Sequence, residues 1–437
     1  MNASPYATLM RVPMRTMSRQ TRYALEGVDD ILVYKVAMTT RFRGVTRREG
    51  LLLHGHAGWG EAAPFWNYDD AESARWLGAA LESARRFPPV PRRKYVPVNV
   101  TIPVISPEEA YERVKASGGC ATAKIKVAEP GVSVSRDCAR IAAVADALRE
   151  TVGGQAMIRL DANGAWEVDD ARAAIPAMTD AAGVVPIEYV EQPCLTVDEL
   201  AEVRRSVDVP IAADESIRRA EDPLEVARKE AADVVIIKVA PLGGVRSALR
   251  VARKCGLGVV VSSALETSVG LSIGVAAAAA VPGVPRAAGL ATASLLVGDV
   301  TNPLVPERGR LPVGRLAPDL NLIGRGPEDS DLVSRWGMRL EAWPSTWKRS
   351  PGRLGACPPS IPPARSCPPW KTWASRTSCT VLARAARPSP TPSKQGCSGE
   401  TRVPSSMSAA PASLPWASRA PVPCPPSSSP PAPPSPN

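Results

Sequence analysis

ADVVIIKVAPLGG, residues 232–244, contains the run VVIIKV, in which both alternating faces of an extended strand are apolar. A strand with no polar face is buried on both sides, the mark of a parallel sheet covered by helices. The run ends in one charged residue, Lys238, followed by turn residues. Outward from it lie VNVTIPV (98–104), AKIKV (123–127), MIRLDANG (157–164), VPIEYVEQP (185–193), VPIAADES (209–216) and LGVVVSSA (257–264). Helical stretches separate them, so seven strand–helix alternations are countable and GLATASL (289–295) can begin an eighth. About 200 residues of such repeats fit a (β/α)8-type barrel. A doubly wound open sheet is the alternative, but the Gly-rich phosphate turn expected after its first strand is missing.

Before the repeats, ILVYKVAM, GLLLHG and AGWGEAA alternate apolar with small or polar residues, which predicts a short antiparallel sheet. An amphipathic helix over 69–86 follows, with Asp69 as N-cap. The expected organisation is an N-terminal extension (1–28), an α+β capping domain (29–95), a catalytic barrel (96–300), a turn-rich return to the cap (301–343) and a tail (344–437).

The formal charge of the 437-residue chain is +10, and 344–437 supplies all of it: eleven Lys/Arg, Glu400 as sole acid, 23 of 46 prolines and five of nine cysteines. Such a segment is expected to be a disordered tail or an out-of-frame reading of a GC-rich gene. Residues 1–343 are neutral, which confines a nucleic-acid-binding reading to the tail. Cys120, Cys138, Cys194 and Cys255 lack CxxC spacing and read as reduced thiols, and the N-terminus lacks an apolar signal core. Val269–Val281 is too short and too interrupted for a membrane span. A cytoplasmic protein with neither nucleic-acid nor membrane partner is expected.

The charged residues of the repeats stand at strand ends: Lys126, Asp161, Glu191, Asp214, Lys238, then Ser262 and Ser263. In a barrel, all these ends face one mouth. Singly, Asp161 can close an Asx turn, Asp214 can cap a helix and a lysine can snorkel to water. Three carboxylates together repel one another unless a cation neutralises them, and with no His or Cys beside them the oxygen-only set suits Mg²⁺. Both histidines, His54 and His56, lie in the cap segment, which argues against a His-based triad or a zinc site. Proton transfer then falls to lysine. Lys126 and Lys238 would face each other across the mouth, suited to removing a proton α to a carboxylate.

KIK, RLDANGAW, EQP, ADES and IIK at these spacings resemble the enolase superfamily in its two-lysine, muconate-lactonising subgroup, over roughly residues 30–340. More narrowly, the stretch 40–77 with IKVAEPG, APLGGVRSAL and SSALETSVGL is similar to the o-succinylbenzoate synthase family of actinobacterial type. The resemblance implies Mg²⁺-dependent dehydration of a small carboxylate in menaquinone biosynthesis. It makes Lys126 the acid/base, Lys238 its cationic partner or second base, and Asp161, Glu191 and Asp214 the metal ligands. Lys124 would depress the pKa of Lys126 or serve as an ordinary ion-pair partner. Arg159, two residues before Asp161, would pair with a substrate carboxylate or with a structural acid inside the barrel. Ser262 and Ser263 would donate to the succinyl carboxylate. The loop 40–46, with Arg41 and Arg43, would close over the mouth or remain a solvated loop. Within the subgroup, N-acylamino acid racemases share this machinery and stay open. Dipeptide epimerases are disfavoured, because SSALET and GLATAS stand where those enzymes carry an acidic DxD.

Overall fold

The structure, a computed structural model, describes residues 7–42, 44–324 and 329–347. Residues 1–6, Arg43 and the basic tail from 348 onward lie outside the described residues.

The cap is a four-stranded antiparallel sheet in the order β1 (Ala7–Arg11), β2 (Val28–Phe42), β3 (Val45–Gly55), β4 (Gly58–Ala62). Helix α1 (Arg19–Ala24) lies between β1 and β2, and α2 (Asp70–Arg85) packs on the sheet. Asp69 caps α2 as expected, accepting from the Glu72 amide at 2.8 Å. The helix approaches so closely that a Cβ on Gly60 would stand 2.1 Å from the Ala80 carbonyl oxygen, and this contact requires glycine there.

Two expectations at the cap's margins are corrected. Residues 7–28 are not an extension: β1 pairs with β2 from Ala7↔Val36 to Arg11↔Leu32, and Ala7, Leu9, Val12, Met17 and Leu25 are buried. The short period-2 signal of Ala7 and Leu9 was obscured by Pro13 and basic neighbours. Nor is the return segment only turns. Helix α11 (Ser330–Trp347) crosses the expected boundary at 343 and lays Leu332, Trp336, Leu340 and Trp343 into the cap core, a stripe of helical spacing. Its Glu341 accepts from Ser18 Oγ at 2.6 Å, clasping the two ends of the cap together.

A two-stranded pair, β5 (Tyr95–Pro97) with β13 (Arg310–Pro312), links cap and barrel in sequence. The barrel strands are β6 (Asn99–Ile102), β7 (Thr122–Lys126), β8 (Met157–Asp161), β9 (Ile187–Glu191), β10 (Ile211–Ala213), β11 (Val234–Lys238) and β12 (Gly258–Ser262). They form one parallel sheet in chain order, as the repeat pattern predicts. Helices α3 (Pro107–Lys115), α4 (Val134–Val152), α5 (Val168–Ala182), α6 (Val197–Ser206), α7 (Glu215–Arg218), α8 (Glu225–Arg228), α9 (Val245–Cys255) and α10 (Ser268–Ala280) connect them. The eighth position is the bridge Ala288–Gly289, at the head of the expected GLATASL. It pairs with Val98 on one edge and Ser262 on the other, and so closes the sheet. Tyr189, Ala212, Val234, Ile236 and Val260 fill the barrel interior. Among the described residues Cys120, Cys138, Cys194 and Cys255 are free thiols. Among the described residues no helix is long and apolar enough to cross a membrane.

Candidate active site

Alternation along each strand sets which side chains enter the lumen, and strand register sets their depth. Lys126, Asp161 and Glu191 are successive partners across β7, β8 and β9, so the three strand ends lie level. Asp214 follows β10, and Lys238 pairs in register with Ser262 across β11 and β12. Asp161, Glu191 and Asp214 are at most 1% exposed. The topology thus brings the polar strand ends to one mouth.

At that mouth, ammonium groups engage the carboxylates. Lys124 Nζ lies 2.8 Å from Asp161 Oδ2 and 3.0 Å from Glu191 Oε1. Lys126 Nζ bonds the same Asp161 oxygen at 2.6 Å, and Lys238 Nζ meets Asp214 Oδ2 at 2.5 Å. Asp214 Oδ1 also accepts from Arg218 Nε at 3.2 Å. Among the described residues no three acidic, His or Cys side chains stand close enough, as they lie, to hold a cation. The donor chemistry nevertheless fits a hard dication: three buried carboxylates and no nitrogen or sulfur ligand. The carboxylates crowd one another at Glu191, whose carboxyl is pushed up to about 7 by burial and by the Asp161 charge beside it. Asp161 and Asp214 are held low, against the effect of burial, by Lys124 and Lys126 in one case and by Lys238 and Arg218 in the other.

The bland alternatives separate the carboxylates. Asp161 does close an Asx-type turn, accepting from the Asn163 amide at 3.2 Å. Asp214 precedes α7 without capping it. Lys124 and Lys238 are buried instead of snorkelling, at 7% and 6% exposed, and Lys126 is half-buried against Asp161 and Asn163. Burial lowers the pKa of Lys126 and Lys238, and the Lys124 charge pushes both the same way; in Lys126 this favours the neutral amine a base requires, whereas the Asp214 carboxylate bonded to Lys238 favours its ammonium form. For Lys124 the Asp161 and Glu191 carboxylates outweigh burial and raise it well above its ordinary value, so it is a fixed cation.

The expectation that Arg159 reaches a substrate carboxylate is corrected. Its guanidinium is fully buried one layer below the mouth, bonded to Glu188 Oε2 at 2.8 Å, Asn99 Oδ1 at 3.0 Å and the Ala287 carbonyl at 2.6 Å. The cause is a bulge: Ile158 pairs with Ile187 and Arg159 with Tyr189, so Glu188 is the extra residue and its carboxylate turns toward Arg159. The two serines also part. Ser262 is on the lumen row with Val260, whereas Ser263 shares a 2.7 Å hydrogen bond with Thr292 and accepts from the Leu265 amide.

Several neighbours escaped the sequence reading. Asn163 accepts from Lys126 Nζ at 2.7 Å. Gln192 is fully buried and accepts from the amides of Asp214 and Ser216, tying the end of β9 to the turn that presents Asp214. Both have positive φ, 52° and 42°, an uncommon backbone for non-glycine residues that clusters at functional sites. Their signal was their place one or two residues after the carboxylates, in EQP and DANG. From the cap, Phe42 at the β2–β3 hairpin tip stands 5.7 Å from Lys126 Nζ, and Tyr68 Oη accepts from Arg218. The end of β2 at Phe42 thus reaches the mouth, and Arg41 beside it is exposed. Arg48 donates to the Leu265 carbonyl and Glu61 accepts from the Thr267 and Gly270 amides, so the cap holds the loop following Ser263.

Comparison with known proteins agrees with this architecture. The family described as enolase C-terminal domain-like matches residues 107–320, and the enolase N-terminal domain-like family matches 33–84. The o-succinylbenzoate synthase of Thermobifida fusca is 54% identical over 323 residues, 73% of this chain and 98% of that protein. That of Mycobacterium tuberculosis is 48% identical, covering 69% of this chain and 90% of its own. Solved structures sharing the fold include an L-Ala-D/L-Glu epimerase from Bacillus subtilis (24% identity, TM-score 0.56, 67% of this chain and 99% of that one). Another is the muconate lactonizing enzyme of Pseudomonas putida (19%, TM-score 0.53, 71% and 99%). At such identities they speak for the fold alone. A barrel whose strand ends gather two lysines and three carboxylates under an α+β cap, matched nearly end to end by these synthases, places the chain in the o-succinylbenzoate synthase family of the enolase superfamily.

Proposed function

We propose that the protein is a carbon–oxygen lyase that dehydrates 2-succinyl-6-hydroxycyclohexa-2,4-diene-1-carboxylate to o-succinylbenzoate, a step of menaquinone biosynthesis. The observation that carries this reading is the 54% identity to a protein of that name over 98% of its length. The substrate is a small carboxylate whose ring proton at C1 is acidified by the adjacent carboxylate.

Lys126, unprotonated, takes the C1 proton, and the electron pair passes into the carboxylate. Lys238, as an ammonium on the opposite side, stabilises the enediolate charge. Lys126, now protonated, returns the proton to the hydroxyl leaving C6, which departs as water while the ring becomes aromatic. One lysine therefore serves both transfers, provided that proton and hydroxyl leave from one face. Lys124 remains a cation throughout and keeps positive charge beside the base. Asp161, Glu191 and Asp214 are the residues that would hold Mg²⁺. When bound, this ion would supply Lewis-acid stabilisation of negative charge on the substrate carboxylate. Magnesium accompanies a dipeptide in a solved complex of an Enterococcus faecalis dipeptide epimerase of this fold. Ser262 would donate to the succinyl carboxylate from the lumen row by leaving its long 3.4 Å bond to the Gly289 carbonyl, and Ser263 would do so only by leaving Thr292.

The test is Mg²⁺-dependent aromatisation of the hydroxycyclohexadiene substrate, run beside incubation of each N-succinylphenylglycine enantiomer in D₂O. Turnover with slow α-deuteration supports a dedicated dehydratase. Fast exchange of both enantiomers at rates rivalling dehydration would assign the protein to racemisation, which needs both lysines as bases. Loss of dehydration in both Lys126→Ala and Lys238→Ala is expected, one losing the base and the other its electrostatic support.

A further inference from the structure

We infer that Asn163 is a positioning residue for the Lys126 amine, itself oriented by Glu215; the inference rests on the reading of Lys126 as the base. Lys126 Nζ contacts two side-chain acceptors, Asp161 Oδ2 at 2.6 Å and Asn163 Oδ1 at 2.7 Å. Asp161 is shared, since Lys124 takes the same oxygen at 2.8 Å. Asn163 Oδ1 is the acceptor that Lys126 has to itself. A lysine with four rotatable bonds needs such a fixed point, because an amine misplaced by about 1 Å forfeits on the order of a hundredfold in rate.

An asparagine amide can present either its oxygen or its NH₂, and only the oxygen can receive an N–H from Lys126. The choice is made on the other side. Asn163 Nδ2 donates to Glu215 Oε1 at 3.3 Å, and that carboxylate is anchored by Arg218 Nη2 at 2.7 Å. Arg218 in turn donates to Asp214 and to the cap's Tyr68 hydroxyl. With an acceptor fixed at Nδ2, the amide oxygen is left facing Lys126. The chain Tyr68–Arg218–Glu215–Asn163–Lys126 runs around the rim from the cap to the base. It explains why an asparagine stands at φ 52°: Asn tolerates the left-handed region, and there its short side chain spans two strand-end loops. Glycine would accept the same backbone at less cost, so backbone demand alone does not account for the amide.

The test uses the full chain with Mg²⁺ and the hydroxycyclohexadiene substrate, protiated or deuterated at C1. Parent turnover decides the functional reading separately; should the parent instead exchange the α-proton of N-succinylphenylglycine, the same ratios are taken on that reaction. Asn163→Gly suits the left-handed backbone and removes the acceptor. It is expected to lower kcat tenfold or more, leave KM within about threefold and raise the primary isotope effect on kcat, because a misplaced base makes proton removal the slow step. A variant that merely lost folded protein would show an unchanged isotope effect. If Asn163→Gly does not fold, Glu215→Ala, which frees the amide, is read the same way. A kcat within twofold of the parent, or a raised KM with kcat preserved, overturns the inference.

Discussion

Replacing Lys124 by Met tests the electrostatics of the mouth most directly, because it removes a buried cation while keeping the stem's volume. Lys124 and Lys126 both bond Asp161 Oδ2, at 2.8 and 2.6 Å, so their nitrogens are no more than 5.4 Å apart. At an effective dielectric constant near 20, two like charges at that distance repel by about 3 kcal/mol. The Lys124 charge therefore lowers the pKa of Lys126, adding to burial, while Asp161 opposes both. Without it, the Lys126 pKa rises, and Asp161, relieved of one cation, acts more strongly in the same direction. The base must be neutral, so activity rises with pH through that pKa. The assay is the pH profile of kcat/KM, whose acid limb reports the base in the free enzyme. The limb should move to higher pH, with Mg²⁺ saturating. An unmoved limb, or one displaced to lower pH, would refute the placement of a fixed cation beside the base.

Three further outcomes are expected. Asp161→Asn, Glu191→Gln and Asp214→Asn should each abolish the calorimetric signal of Mg²⁺ binding and lower turnover by at least about a hundredfold, with the circular-dichroism spectrum preserved; full activity in any one removes that residue from the ligand set. Arg159→Met should leave KM within about twofold but lower the melting temperature by roughly 6–10 °C, because breaking a buried pair costs about 3–5 kcal/mol; a raised KM with unchanged melting would restore a substrate contact. A chain ending at Trp347 should keep full activity and thermal midpoint, whereas one ending at Asp329 loses the buried Trp336 and Trp343 and should not hold the cap together, as limited proteolysis would show.

The barrel was legible because its signal repeats. VVIIKV reads as a strand buried on both faces wherever it occurs, and six strand ends carrying charge or hydroxyl at intervals of 23 to 35 residues constrain one another. The cap margins have no such redundancy. ATLMR is five residues long and acquires meaning only by pairing with β2, which no local pattern announces. In α11 the stripe Leu332, Trp336, Leu340, Trp343 was present in the sequence, but the prolines and glycines before it gave the segment a turn-rich reading. Asn163 and Gln192 fall between these cases: their position beside the carboxylates was visible, and their left-handed backbone was not.

Arg159 shows where the strand-end argument stops. Alternation assigned it correctly to the lumen face, together with Asp161, but two residues along a strand are about 6.6 Å, one full layer deeper. At that depth a guanidinium needs partners within its own layer, since burial without them costs several kcal/mol. Glu188 supplies the charge only because a bulge between β8 and β9 reverses the face it would otherwise take. Lys124 stands in the same register row as Arg159, yet its single ammonium rises to Asp161 and Glu191, whereas the planar Arg159 fork spreads over Glu188, Asn99 and the Ala287 carbonyl. Of two cations at equal depth, one is therefore structural and the other faces the chemistry. The difference lies in side-chain shape and in one extra residue on a neighbouring strand.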